Sequence, residues 1–294
     1  MDINYELYKV FYYVATTLSF SEASRQLFIS QSAVSQSIKA LEKKLGQPLF
    51  VRSTKKVQLS PAGQILLKHI EPAINLIHRG ENQLSDIKNS GLGQLHIGAT
   101  DTICRYLLVP FLKQFHAVFP SVPIKVTNAS SLACADLLEQ GKVDLIVTND
   151  PNSRLNHAYV QKTIRVFHDV FIANPSFFKQ DQKDFSFEEL KRHPILMLDP
   201  KSTTSKFLHN LFLQHQLELI PEIELSSNDL LIDLARIGLG IAFIPDYCLT
   251  PDEKDLFILH TKEEIPPRHI VVSINTSLPT AVSTEEFLNL LPEV

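Results

Sequence analysis

Residues 30–46, Ser-Gln-Ser-Ala-Val-Ser-Gln-Ser-Ile-Lys-Ala-Leu-Glu-Lys-Lys-Leu-Gly, constrain the chain more than any other stretch. Val34, Ile38, Leu41 and Leu45 recur at spacings of four, three and four, which predicts a helix with one inward stripe. Ser30 is placed to cap its start, and Gly46 supplies the left-handed residue that ends it. The opposite stripe carries Ser32, Ser35, Gln36 and Lys39, short hydroxyls, an amide and a cation where a merely solvated face would carry Glu and Lys in bulk. Those groups match the donors and acceptors of base edges and phosphates.

The flanking residues turn this face into a motif. Leu7, Phe11, Val14 and Leu18 predict a helix over 5–18, and Ser21 is expected to cap a shorter one through Phe28 that buries Ala23 and Leu27. A tight turn at Ile29-Ser30 then leads into the third helix. Two helices so joined form a helix-turn-helix, whose second helix enters the major groove with its N-terminal residues against the bases. Beyond Gly46, residues 49–52 and 57–59 read as two short strands around the polar, basic tip 53–56. That is a wing, placed to meet phosphate or the minor groove.

At this point the chain resembles the LysR-type transcriptional regulators. The resemblance lies in Phe11, Val14-Ala15, Ser19-Phe20-Ser21, Ala23, Leu27, Ser30-Gln31, Ala33-Val34-Ser35, Ile38, Leu41-Glu42, Leu45-Gly46, Leu49-Phe50, Arg52 and Ala62-Gly63, and continues more loosely through the rest of the chain. Leu18 stands where a glycine is usual, Ser24 where a second alanine is usual, and Ser60-Pro61 where a threonine and a variable residue are usual. None of these departures touches the expected base-reading face.

Charge patterning points the same way. Residues 1–60 hold eight Lys and Arg against four Asp and Glu, a net +4 in a chain whose total is -4, so the remainder carries -8. A basic module beside an acidic remainder is the footprint of a nucleic-acid-binding domain. Met1-Asp2-Ile3-Asn4-Tyr5-Glu6 lacks a basic start followed by an apolar run, and no stretch approaches the ~18 apolar residues of a membrane helix, so a cytoplasmic protein without a membrane partner is expected. Cys104, Cys134 and Cys248 lie 30 and 114 residues apart, without metal-ligand spacing to histidines, and read as apolar thiols rather than oxidant sensors or metal ligands. No cofactor is expected. The histidines are scattered, and no catalytic constellation arises from their order.

Between the DNA module and the rest, Leu66, Ile70, Ala73, Ile77, Leu84 and Ile87 mark a seam at spacings of three and four, with Gly80 on the skipped position. The seam fits a dimerisation helix; the competing reading packs it on the protein's own core. Pro61 suits the first helical turn, whereas Pro72 predicts a kink near 68–71. Gly91-Leu92-Gly93 is the best linker in the chain.

From Gln94 onward strand and helix signals alternate. Strands are expected at 95–98, 124–126 and 144–148, with helices at 103–119 and 132–140, which makes a βαβαβ unit with a parallel sheet. A second series follows. It has strands at 166–173, 195–198, 223–225 and 240–244, a helix opened by Ser186 with Glu189 in a capping box, and helices at 203–215 and 228–237. A last strand at 269–275 and helix at 284–291 return to the first unit. The expected fold is therefore an N-terminal winged helix-turn-helix domain (1–60), a linker helix (61–90) and a two-lobed, periplasmic-binding-protein-like α/β effector domain (91–294). Lobe I takes about 91–162 and 266–294, and lobe II about 163–265.

Ligands of such sheets sit where strands end and helices begin. Hydroxyls and amides occupy those junctions at Thr100 and Thr102, Ser130 and Ser131, Thr148 and Asn149, Ser202 and Thr203, and Ser227 and Asn228. They suit a small carboxylate or other polar metabolite, although each is equally a preferred helix cap. The family resemblance singles out Thr102, Ser130 and Thr203 as pocket residues. It also implies a dimer of dimers on an interrupted palindromic operator, with effector binding altering the spacing of the dimers. Gln31, Ser32, Ser35, Gln36 and Lys39 are expected to read DNA, and Arg52, Lys55 and Lys56 to anchor the backbone or enter the minor groove. The alternative is a two-lobed binding protein or enzyme with no DNA function; a purely architectural DNA-binding protein would not need the α/β cleft.

Overall fold

The computed structural model describes residues 3–52, 56–89, 92–155, 159–178, 184–249 and 255–294. The chain divides into two compact units, 1–84 with 140–142, and 85–139 with 143–294.

The first unit begins with α1 (Tyr5–Thr17), α2 (Phe20–Leu27) and α3 (Gln31–Leu45), followed by the antiparallel hairpin β1 (Phe50–Arg52) and β2 (Val57–Leu59). Phe11, Val14, Ala23, Val34, Ile38 and Leu41 are fully buried and form the centre of its core. Two sequence expectations are corrected here. The cap of α2 is Ser19, whose hydroxyl accepts from the Glu22 N–H, rather than Ser21. Leu18 does not join the inward stripe of α1: it is the C-cap, at φ 49°, and is 47 % exposed. A glycine would hold that left-handed conformation without steric cost, which gives the departure at this position a physical meaning.

Helix α4 (Pro61–Asn89) runs on through Pro72. Ser60 opens it, its hydroxyl accepting from the Gly63 N–H at 3.0 Å and donating to the Pro48 carbonyl at 2.6 Å. A Cβ at Gly63 would stand 2.1 Å from the Leu49 carbonyl oxygen, so the helix approaches β1 as closely as only glycine permits. Leu66 and Ile70 pack on the core of this first unit, which is the competing reading of the seam for its N-terminal half. Farther along, Ala73, Ile77 and Leu84 are exposed, the last two at 42 % and 69 %.

The second unit contains two five-stranded sheets. Its elements are β3 (Leu95–Ala99), α5 (Asp101–Ile103), a π-helical turn (Cys104–Leu108), α6 (Val109–Val118), β4 (Ile124–Asn128), α7 (Ser131–Glu139), β5 (Leu145–Asp150) and β6 (Tyr159–Phe167). They continue with β7 (Asp169–Ala173), α8 (Phe187–Leu190), β8 (Ile195–Leu198), α9 (Thr203–Gln214), β9 (Ile223–Leu225), α10 (Asn228–Arg236), β10 (Ile241–Pro245), β11 (Phe257–Leu259), β12 (Arg268–Asn275) and α11 (Val282–Leu290). The first sheet has the order β4-β3-β5-β12-β6 and the second β11-β7-β10-β8-β9. In each, three strands run parallel and the remaining two join antiparallel. The chain leaves the first sheet at Phe167, enters the second at Asp169, and returns through β12. The capping box Ser186/Glu189 forms as expected. Among the described residues no helix is long and apolar enough to cross a membrane.

Candidate functional site

On the first unit, α3 presents the face that the sequence predicts. Gln31, Ser32, Gln36 and Lys39 are exposed and Ser35 is half-buried, while Val34, Ile38 and Leu41 point into the core. Ser30 caps the helix, accepting from the Ala33 N–H at 3.2 Å. The first carboxylate along α3 is Glu42, and it is turned away: its Oε1 accepts from the Leu49 N–H at 2.8 Å and the Phe50 N–H at 3.3 Å. The same contact fixes the start of the wing to the helix, and it leaves the outer face of α3 without negative charge. In the wing, Arg52 pairs with Val57 and Lys56 is exposed. Lys55 lies outside the described residues.

On the second unit a cavity of about 390 Å³ lies where strands of both sheets end. The first sheet contributes Thr100 and Thr102 after β3, Asn128 at the end of β4 with Ser130 and Ser131 after it, and Asn149 from β5. The second contributes Asp199, Lys201, Ser202, Thr203 and Thr204 after β8, Ser226 and Asn228 after β9, and Tyr247 after β10. Seven of the eight residues expected to bind an effector are thus brought together. Thr148 is not among the lining residues: it is fully buried in β5, and its neighbour Asn149 lines the cavity instead.

The double meaning of a polar residue at a helix start resolves residue by residue. Thr100, Ser130 and Ser202 are caps, their hydroxyl oxygens accepting from the N–H groups of Ile103, Ala133 and Thr204. Thr102 and Thr203 are not. Thr102 accepts from the Asn228 side-chain amide at 3.0 Å, a bond from one lobe to the other. Tyr106, in the π-helical turn, adds a second, donating its phenol to Asp229 Oδ1 at 2.6 Å, and Arg105 stands 3.4 Å from the other oxygen of that carboxylate. Burial first, and the Asp229 hydrogen bond second, push the Tyr106 phenol well above its usual value, so it is a permanent donor.

Sequence reasoning missed Arg268. This guanidinium, 1 % exposed at the start of β12, donates to Asp169 Oδ2 at 2.8 Å, Thr204 Oγ1 at 3.0 Å and Thr203 Oγ1 at 3.1 Å. Burial pushes the Asp169 carboxyl up, and Arg268 opposes that shift. A single Arg after two prolines carries no sequence signal of a partner 99 positions away.

Two family models match this chain: one described as a bacterial regulatory helix-turn-helix protein of the lysR family over residues 5–64, and one described as a LysR substrate binding domain over 88–294. The chain is 30 % identical over 246 residues to a probable RuBisCO transcriptional regulator of Gracilaria tenuistipitata var. liui, covering 82 % of this chain and 79 % of that protein. It is 28 % identical over 245 residues to the HTH-type transcriptional activator CmpR of Synechocystis, with the same two coverages. Among solved structures, a full-length OxyR variant from Pseudomonas aeruginosa aligns with a TM-score of 0.67 at 19 % identity, covering 99 % of this chain and 94 % of that one. Full-length CbnR in complex with its target DNA aligns with a TM-score of 0.66 at 17 % identity, covering 98 % and 99 %.

Proposed function

We propose a mode of action from one premise: the chain belongs to the LysR family of bacterial transcription regulators. It is a DNA-binding regulator with an effector-binding domain, not an enzyme. In our reading α3 lies in the major groove, where Gln31, Ser32, Ser35, Gln36 and Lys39 reach base edges, while Arg52, Lys55 and Lys56 hold phosphates or the minor groove. Two copies join through the exposed part of α4, and pairs of dimers occupy an interrupted palindrome in the cytoplasm. A small polar or carboxylate effector enters the cleft and alters the spacing of the dimers.

The observation that carries the effector reading is the convergence of polar strand ends from two sheets on one cavity of about 390 Å³, a volume suited to a small metabolite. Six strand ends meet there, four of them opening helices, because each sheet directs its strand ends to the same side. The test is a thermal-shift screen of polar metabolites on the full-length protein, beside a Ser226→Trp variant that fills the cavity from its exposed rim. An effector is expected to raise the melting temperature of the wild type by mass action and to leave the variant unmoved. A ligand that stabilises both equally binds elsewhere, and the cleft loses this role.

A further inference from the structure

We propose that Arg268 sets the chemical class of the effector: by occupying the Thr203 and Thr204 hydroxyls as acceptors, it leaves their protons for the cavity and selects a ligand with acceptor-only oxygens, a carboxylate above all. The inference deepens the reading of the cleft as an effector site and rests on it.

A guanidinium has five donors and no acceptor, so in both contacts the threonine oxygen is the acceptor. A hydroxyl has one proton, and that proton is then free to point away from Arg268. Among the described residues neither threonine donates to a protein group, and both line the cavity. A hydroxyl that accepts from a cation is also polarised into a stronger donor. Without Arg268 the two hydroxyls would be free to accept from or donate to a ligand alike.

The guanidinium is held through both terminal nitrogens and against two aromatic rings, while its Nε finds no partner among the described residues. Asp169 binds Nη1, and the rings of Phe167 and Phe207 lie 5.4 and 4.9 Å from its central carbon. This planar, stacked fork is a geometry that lysine does not reproduce. Arg268 belongs to the first sheet and its partners Asp169, Thr203 and Thr204 to the second lobe, so the same side chain that orients the hydroxyls also ties the lobes at the cavity. It is a positioning residue, and a purely structural role for it would alter stability without altering which ligands are preferred.

The test uses the full-length protein and two families of probe, unbranched α,ω-dicarboxylates of three to six carbons and α,ω-diamines of the same lengths, titrated by calorimetry. Wild type is expected to bind at least one dicarboxylate tenfold or more tightly than the matching diamine. Thr203→Ser with Thr204→Ser keeps both hydroxyls and is expected to keep that preference, whereas Thr203→Val with Thr204→Val, or Arg268→Lys, is expected to lose it. The serine and valine pairs keep the experiment decisive should Arg268→Lys fail to fold. Equal binding of diamines, or no dicarboxylate binding at all, overturns the inferred class. If Ser226→Trp abolishes dicarboxylate binding while the valine pair retains the preference, the cleft stands and the role of Arg268 falls; if Ser226→Trp binds as before, the cleft reading itself falls.

Discussion

Cys104 Sγ donates weakly to Asn128 Oδ1 at the rim of the cavity, and Cys134 is buried beneath. Burial pushes the Cys104 thiol up to about 11 and Cys134 up to about 12, with Asp101 adding to the first. Both are protonated at neutral pH, and the thiolate is the reactive form. Alkylation of Cys104 in the native protein is expected to quicken about tenfold per pH unit from 7 to 9 without levelling off. Peptide mass spectrometry of iodoacetamide-treated samples measures this, and a plateau by pH 8 would show an activated thiol. The same shift has a stability consequence of definite sign. The folded thiol keeps its proton where the unfolded chain releases it, so the contribution is complete below 9.0 and declines as pH rises toward the folded value. Residue identity alone made some of these positions legible and others not. Alternation in β5 is hidden because all of its first five residues are buried, so nothing in the sequence distinguishes Thr148 from Asn149 as the one that faces the cleft. Phe28, at φ 55° and 94 % exposed, is likewise a position where an apolar residue carries no packing information.

At the scale of the element, periodicity locates the helices well and leaves open what one of their faces packs against. The stripe on α4 serves two surfaces in succession: Leu66 and Ile70 complete the core of the first unit, and Ala73, Ile77 and Leu84 continue it into solvent. A regular repeat does not announce where its partner changes. Charging the exposed part is therefore the informative substitution. Ile77→Asp with Leu84→Asp is expected to dissociate the dimer, since an unpaired carboxylate buried in an apolar seam costs several kcal/mol. The variant monomer should keep its helical circular dichroism and lose operator affinity with its second half-site. Ile70→Asp, by contrast, is expected to unfold the helix-turn-helix unit itself. Light scattering that finds an unaltered oligomer for the Ile77/Leu84 pair would remove this surface from the assembly. The wing shows what periodicity cannot reach: Glu42 reads as an ordinary solvated residue of α3 until β1 is seen to start against it.

For the two-lobed unit as a whole, the decisive bonds are those that cross the cleft. Two sheets connected by β12 and by the step from Phe167 to Asp169 form a hinge arrangement, in which the lobes are free to rock about the connections unless side chains hold them. Thr102 to Asn228, Tyr106 to Asp229 and Arg105 to Asp229 all join the start of the first lobe's helical segment to the start of α10, on the lip of the cavity. Of these the Tyr106 bond is the strongest by chemistry, a short donor to a carboxylate, worth about 1.5–3 kcal/mol. Arg105 is 63 % exposed and contributes little. Tyr106→Phe keeps the ring against Tyr247, at a centroid distance of 6.5 Å, and removes only the hydroxyl. The lips are then expected to part more often without loss of the fold, because the substitution leaves untouched the core shared by both sheets and the separate cluster within each lobe. Amides at the start of α10 should exchange with deuterium about tenfold faster or more, while those of β3 and β8 stay protected. Effector affinity should fall in proportion to the lost population of the bridged arrangement, and Thr102→Val added to Tyr106→Phe should deepen both effects. Unchanged exchange in α10 would mean that the hinge, Arg268 and the apolar core shared by both sheets hold the lobes, and that the lip bonds follow closure rather than maintain it.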